Sequence, residues 1–202
     1  KQKTAYEIMP SLVGSEMCIR DRYYSKLLVN RGLTYSIFGN ISLKAKESMV
    51  IKRKGVSLEF VQLQDFIYVP LTPDLPEEVQ KHLSSEWRLH CHCYLANPGY
   101  KVIFHLHPFY ISLLEDLNIS LECNDMEFRY LLGGKIAYLD YFPPGSEQLA
   151  QEVARHISDS PFLILKNHGI VVAGESLQEV YNLCWAGEII AKRLVFKKVF
   201  FK

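Results

Sequence analysis

Three short apolar runs constrain this chain more than any other feature. KVIFHL (101–106), FLILK (162–166) and GIVVA (169–173) are too short for core helices, and Gly, Pro or Asn bound them. Runs of this length, apolar at nearly every position, read as strands buried within a sheet. Further strands are expected at 37–44 (IFGNISLK), 49–52, 66–69 and 135–142. Helical patterns lie between them. In YYSKLLVNR (23–31), Tyr24, Leu27 and Leu28 share a face and Gly32 suits a C-cap. Ser84 and Ser85 are placed to cap a helix over 86–96, which Asn97-Pro98-Gly99 stops. Pro108 opens another helix, where its missing N–H is no loss. Helices at 146–157 and 176–196 complete the pattern, the last with Ser176 and Glu179 at capping-box spacing. Strands alternating loosely with helices predict an α/β or α+β layer fold, with helices covering a central sheet.

A chain of 202 residues suits one domain, and 49% hydrophobic residues are ample for its core. Twenty-three basic and 22 acidic side chains leave a formal charge of +1, so no global charge attracts nucleic acid or a membrane surface. No apolar run reaches the ~20 residues of a membrane helix. Five cysteines (Cys18, Cys91, Cys93, Cys123 and Cys184) form no even framework and suit a reducing, cytoplasmic setting. Residues 1–22 show no clear periodicity, and MPSLVGSEMCIRDR (9–22) resembles translated sequencing-adapter read-through. They are set aside as an artefactual leader, with a single domain expected over 23–202.

Histidines mark the ends of the buried runs. In a strand, His105 and His107 point to the same face and can reach one ion. His168 ends another strand, and three neutral imidazoles leave a position open for substrate or water, as a catalytic zinc requires. His90-Cys91-His92-Cys93 holds four good ligand types but reads as helix, where successive side chains turn by about 100° and cannot converge. His90 shares a helix face with Glu86 and could orient it or the metal. Ser84-Ser85-Glu86 at a helix N-terminus is either an N-cap or an anion site. Gly39-Asn40 and Lys54-Gly55 are either a bulge and a turn or a phosphate cradle with one cation.

In order along the chain, GNIS (39–42), KG (54–55), SSEWRLH (84–90), HLHP (105–108), GG (133–134) and NHG (167–169) resemble the class II aldolase/adducin family. The resemblance spans about 23–196. It implies a three-layer α/β/α fold with a central, mainly antiparallel sheet. It also implies a zinc ion on His105, His107 and His168, Glu86 as the acid/base, and a substrate phosphate on Gly39, Asn40, Gly55, Ser84 and Ser85. Lys54 stands where relatives usually carry Thr or Ser, and a lysine there adds charge for the anion. The implied activity is reversible cleavage of a small sugar phosphate to dihydroxyacetone phosphate and an aldehyde. Dehydration, 4-epimerisation and a non-catalytic interaction domain are the alternatives within the family. Tyr130 and Tyr141 are candidates to protonate the aldehyde oxygen. The family usually forms C4 homotetramers, and relatives often carry a C-terminal tyrosine that VFKKVFFK (195–202) lacks, so the chain is expected to be truncated there.

Overall fold

The computed structural model describes residues 12–122, 126–131, 133 and 136–200. Its seven strands are β1 (Asn40–Ala45), β2 (Ser48–Lys52), β3 (Phe66–Pro70), β4 (Val102–Leu106), β5 (Ala137–Leu139), β6 (Phe162–Leu165) and β7 (Gly169–Gly174). They form one sheet in the order β3-β2-β1-β4-β7-β6-β5. Every pairing is antiparallel except that of β5 with β6. The helices are α1 (Leu12–Asn30), α2 (Glu77–Gln80), α3 (Trp87–Ala96), α4 (Phe109–Asp116), α5 (Met126–Leu131), α6 (Glu147–Ile157) and α7 (Leu177–Phe200).

Strand alternation divides the core in two. Ile41, Leu43, Val102, Phe104, Leu106 and Val172 pack on one face with Leu28 of α1, Ile111 of α4 and Val180 of α7. Ile103, Leu163, Val171 and Ala173 pack on the other with Trp87 and Leu89 of α3 and Leu149 and Val153 of α6. The three-layer α/β/α architecture with a mainly antiparallel sheet is therefore present. All four residues of β6 and all six of β7 are buried, as uninterrupted apolar runs require.

Local chemistry moves several boundaries. The first helix starts at Leu12, not Tyr23, and so runs through the second half of the segment set aside. The strand expected from Ile37 starts at Asn40, because Ser36 and Gly39 both adopt positive φ and turn the chain first. The extended run 135–142 contributes strand only at Ala137–Leu139 among the described residues. Helix α3 starts at Trp87, and no side chain caps it at Glu86; Ser84 Oγ instead accepts the Glu86 N–H at 3.4 Å. Ser176 does cap α7, accepting the Glu179 N–H at 3.2 Å, but the Glu179 carboxylate takes the Glu175 N–H, not that of Ser176. The short helices α2 and α5 carried no periodic signal. Of the GG pair, Gly134 lies outside the described residues.

Candidate active site

Register brings the chemistry together. Asn40 on β1 pairs directly with His105 on β4, so the two side chains sit side by side on the α3 face of the sheet. His105 pairs in turn with Val171 on β7, and its Nδ1–H donates to the Ile170 carbonyl at 3.0 Å. That bond fixes the tautomer and turns Nε2 toward the open end of the strands. His107 lies just beyond β4, one residue past its last strand position, with Nε2 3.2 Å from His105 Nε2. His168 sits in the tight turn from β6 to β7, not at a strand end as expected. A Cβ on Gly169 would run into the Leu106 carbonyl oxygen, so a glycine there lets the turn carry His168 against β4.

One ligand nitrogen from each of His105, His107 and His168 lies within 4.8 Å of the others. Burial lowers the pKa of all three: well below the usual range for His105, to about 4 for His107, and downward for His168. They are neutral at pH 7, the state in which imidazole binds metal. His168 Nδ1 is buried and has no hydrogen-bond partner among the described residues, as expected of a nitrogen set aside for a cation. The set therefore fits one metal ion with tetrahedral preferences.

Glu86 completes the group. Its carboxylate is 4% exposed, Oε1 lies 3.9 Å from His168 Nε2, and Oε2 is buried without a hydrogen-bond partner among the described residues. Burial pushes this carboxyl up to about 7, against the opposing effect of the Gly145 N–H that donates to it. Gly145 lies in the loop Pro143-Pro144-Gly145 ahead of α6, so this loop clasps the acid.

Gly39, Asn40, Lys54, Gly55, Ser84 and Ser85 all line the same cleft of about 420 Å³ with Glu86 and the three histidines. Gly39 has φ +76°, and a Cβ there would sit 2.7 Å from Thr34 Oγ1 and 3.3 Å from the His105 carbonyl, so no other residue fits. Every residue expected to hold the metal, the acid/base role or the phosphate is thus brought together. Tyr130 and Tyr141 are not: they are 84% and 57% exposed and neither lines the cleft. His90 does not orient Glu86 or the metal. Its Nε2 meets Asn40 Oδ1 and its Nδ1 meets Ser42 Oγ. The remaining HCHC residues fan out as helix geometry demands, Cys91 and Cys93 into the core and His92 to Glu147 at 2.9 Å.

One residue of the cleft was missed. Lys52 ends β2 only 2% exposed, lines the cleft, and donates to the Val56 carbonyl at 2.5 Å and the Ile37 carbonyl at 3.3 Å. Among the described residues no carboxylate pairs with it. Burial pulls its pKa down to about 8. The sequence signal was present in KRKG (52–55), but a lysine at a strand end usually points to water.

Comparison with known proteins agrees with this geometry. The Class II Aldolase and Adducin N-terminal domain profile matches residues 22–195. A protein of Methanococcus maripaludis named L-fuculose phosphate aldolase is 32% identical over 156 residues, covering 77% of this chain and 83% of that one. A protein of the same name from Methanocaldococcus jannaschii is 30% identical over 162 residues, covering 80% and 83%. The crystal structure of L-fuculose-1-phosphate aldolase from Thermus thermophilus superposes with a TM-score of 0.82 at 25% identity, covering 92% of this chain and 96% of that one.

Proposed function

Because this chain belongs to the class II aldolase and adducin family, we propose that it is a zinc-dependent aldolase. In this reading it reversibly cleaves a small sugar phosphate to dihydroxyacetone phosphate and an aldehyde. One observation carries the reading: three neutral histidines, a buried carboxyl poised near neutral pH and an anion cradle converge in one cleft. His105, His107 and His168 hold the ion, which when bound supplies Lewis acidity at the substrate carbonyl.

The chain's own groups bind, orient and move protons. Ser84, Ser85 and Asn40 offer neutral donors to the phosphate, Gly39 and Gly55 open backbone to it, and Lys52 and Lys54 supply charge. In the synthetic direction Glu86 takes a proton from the carbon beside the carbonyl of dihydroxyacetone phosphate. The electron pair left on that carbon attacks the aldehyde carbon, the carbonyl π pair moves to the aldehyde oxygen, and that oxygen takes a proton from water. Cleavage runs the same steps backward, and Glu86 returns its proton to carbon. A carboxyl with a pKa of about 7 exchanges protons in both directions near neutrality. Assembly as a homotetramer belongs to the same proposal and is tested by light scattering.

The decisive experiment measures bound zinc and the release of dihydroxyacetone phosphate from a ketose-1-phosphate panel, with L-fuculose 1-phosphate first because the relatives are named for it. About one zinc per chain, lost in His107→Ala, with cleavage of a panel member, is the expected result. Zinc without cleavage moves the assignment to dehydratase or epimerase chemistry. A folded protein that binds no zinc ends the enzymatic reading and leaves an interaction domain.

A further inference from the structure

Asn40 and Ser42 alternate with Ile41 and Leu43 along β1, so both face α3. On α3, His90 and Tyr94 are one turn apart. Two residues of strand and four residues of helix advance by similar lengths, roughly 6–7 Å. The helix pair therefore meets the strand pair in register. His90 bridges Asn40 and Ser42, and Tyr94 reaches Ser42. All four side chains are buried, His90 and Ser42 completely.

These contacts run in one direction. Asn40 Oδ1 can only accept, so the His90 ring proton is on Nε2. Nδ1 is then bare, and the Ser42 hydroxyl, 2.6 Å away, donates to it. Tyr94 OH lies 2.9 Å from both Ser42 Oγ and the Ser42 carbonyl, and its one proton goes to this pair. Burial holds the His90 pKa down at about 3, so the ring keeps a single proton at every working pH. With Oδ1 taken, the Asn40 amide nitrogen is left for the cleft, and among the described residues it has no acceptor.

We infer that Tyr94, Ser42 and His90 form a positioning relay that locks the Asn40 amide with its N–H2 group toward the substrate anion. An unlocked amide flips by 180° and turns an oxygen lone pair against a phosphate oxygen. The relay makes position 40 a donor only. His90, Ser42 and Tyr94 do not line the cleft, so they act through Asn40 and touch no substrate. The inference rests on the proposed anion cradle, and the test separates the two.

The test is the inhibition constant of inorganic phosphate, alongside KM and kcat for the best panel substrate, in the zinc-loaded full chain. His90→Phe removes the donor to Asn40, and the phosphate constant should weaken about ten-fold, with KM rising more than kcat falls. His90→Gln can still donate to Oδ1 and accept from Ser42, and should recover most of that loss. Equal losses in the two variants, or no loss in His90→Phe while Asn40→Ala weakens phosphate, overturn the relay and leave the cradle standing. No effect of Asn40→Ala overturns the cradle itself, and the relay with it. Should His90→Phe not fold, Ser42→Ala frees the tautomer alone; a weakening of about three-fold supports the relay and an unchanged constant overturns it.

Discussion

Lys52 and Asp21 show what a single buried charge does. The Lys52 amine in the ligand-free cleft keeps its proton below about 8, so affinity for a phosphate monoester, dianionic above neutral pH, should fall as pH rises from about 7 to about 9. The expected loss is about ten-fold, and Lys52→Gln should weaken binding and make the fall shallower by isothermal titration. A flat wild-type profile would remove Lys52 from the cradle. Asp21 is fully buried, and neither of its oxygens has a partner among the described residues. Burial raises its pKa well above the ordinary value, against the opposing effect of Arg20. Its favourable contribution is complete below the unfolded pKa of about 3.9 and is lost as pH rises through the folded value. Asp21→Ala should therefore stabilise the fold at pH 7 by about 1–2 kcal/mol in urea titrations, with the gain shrinking toward acid pH. Sequence gave no warning of either burial. A lysine at a strand end and an aspartate ahead of a helical stripe are ordinary surface residues until the chain packs over them. The candidate metal ligands were easier to find. His105, His107 and His168 sit where apolar runs stop, and strand alternation alone puts the first two on one side.

Elements hold these residues through contacts far apart in sequence. Helix α4 follows directly on His107-Pro108, and Pro108 caps it with no side-chain bond. Glu188 of α7 does that work: Oε1 accepts the Tyr110 N–H at 2.8 Å and Oε2 the Ile111 N–H at 3.1 Å. Pro108 brings no N–H to the helix start, and two of the unpaired N–H groups that follow it are satisfied by a residue 77 and 78 positions away. Glu188→Gln keeps one acceptor oxygen and sets an amide donor against the other N–H. It should lower stability by about 1–2 kcal/mol, read from urea unfolding, and loosen zinc at His107. Unchanged stability would show that α4 needs no such tie. The same distance explains why His90 was misread. Helix geometry put it on the Glu86 face, but the strand packed beneath α3 gave it Asn40 and Ser42 as partners.

At the scale of the whole molecule, the site draws β1, β4 and the β6–β7 turn to one end of the sheet. An ion bound there cross-links residues 105 and 168, so zinc should raise the melting temperature and chelation should reverse it. Excess zinc at about 100 times its dissociation constant stabilises the fold by about 2.7 kcal/mol, and His107→Ala should abolish most of the shift seen by calorimetry. A melting temperature indifferent to zinc would place no ion at these histidines. Among the described residues no helix is long and apolar enough to cross a membrane, so the apolar runs belong to this one layered core. Periodicity alone specified that layering, because a run apolar at every position must be covered on both faces, and it specified which residue types end the strands. Strand order, register and burial were not written locally. They depend on which distant segments pair, and pairing set Asn40 beside His105, raised the Glu86 carboxyl toward neutrality and buried the Lys52 amine. Chemistry of that kind arises from the loss of water around a group, and how much water a residue loses is a property of the packed chain.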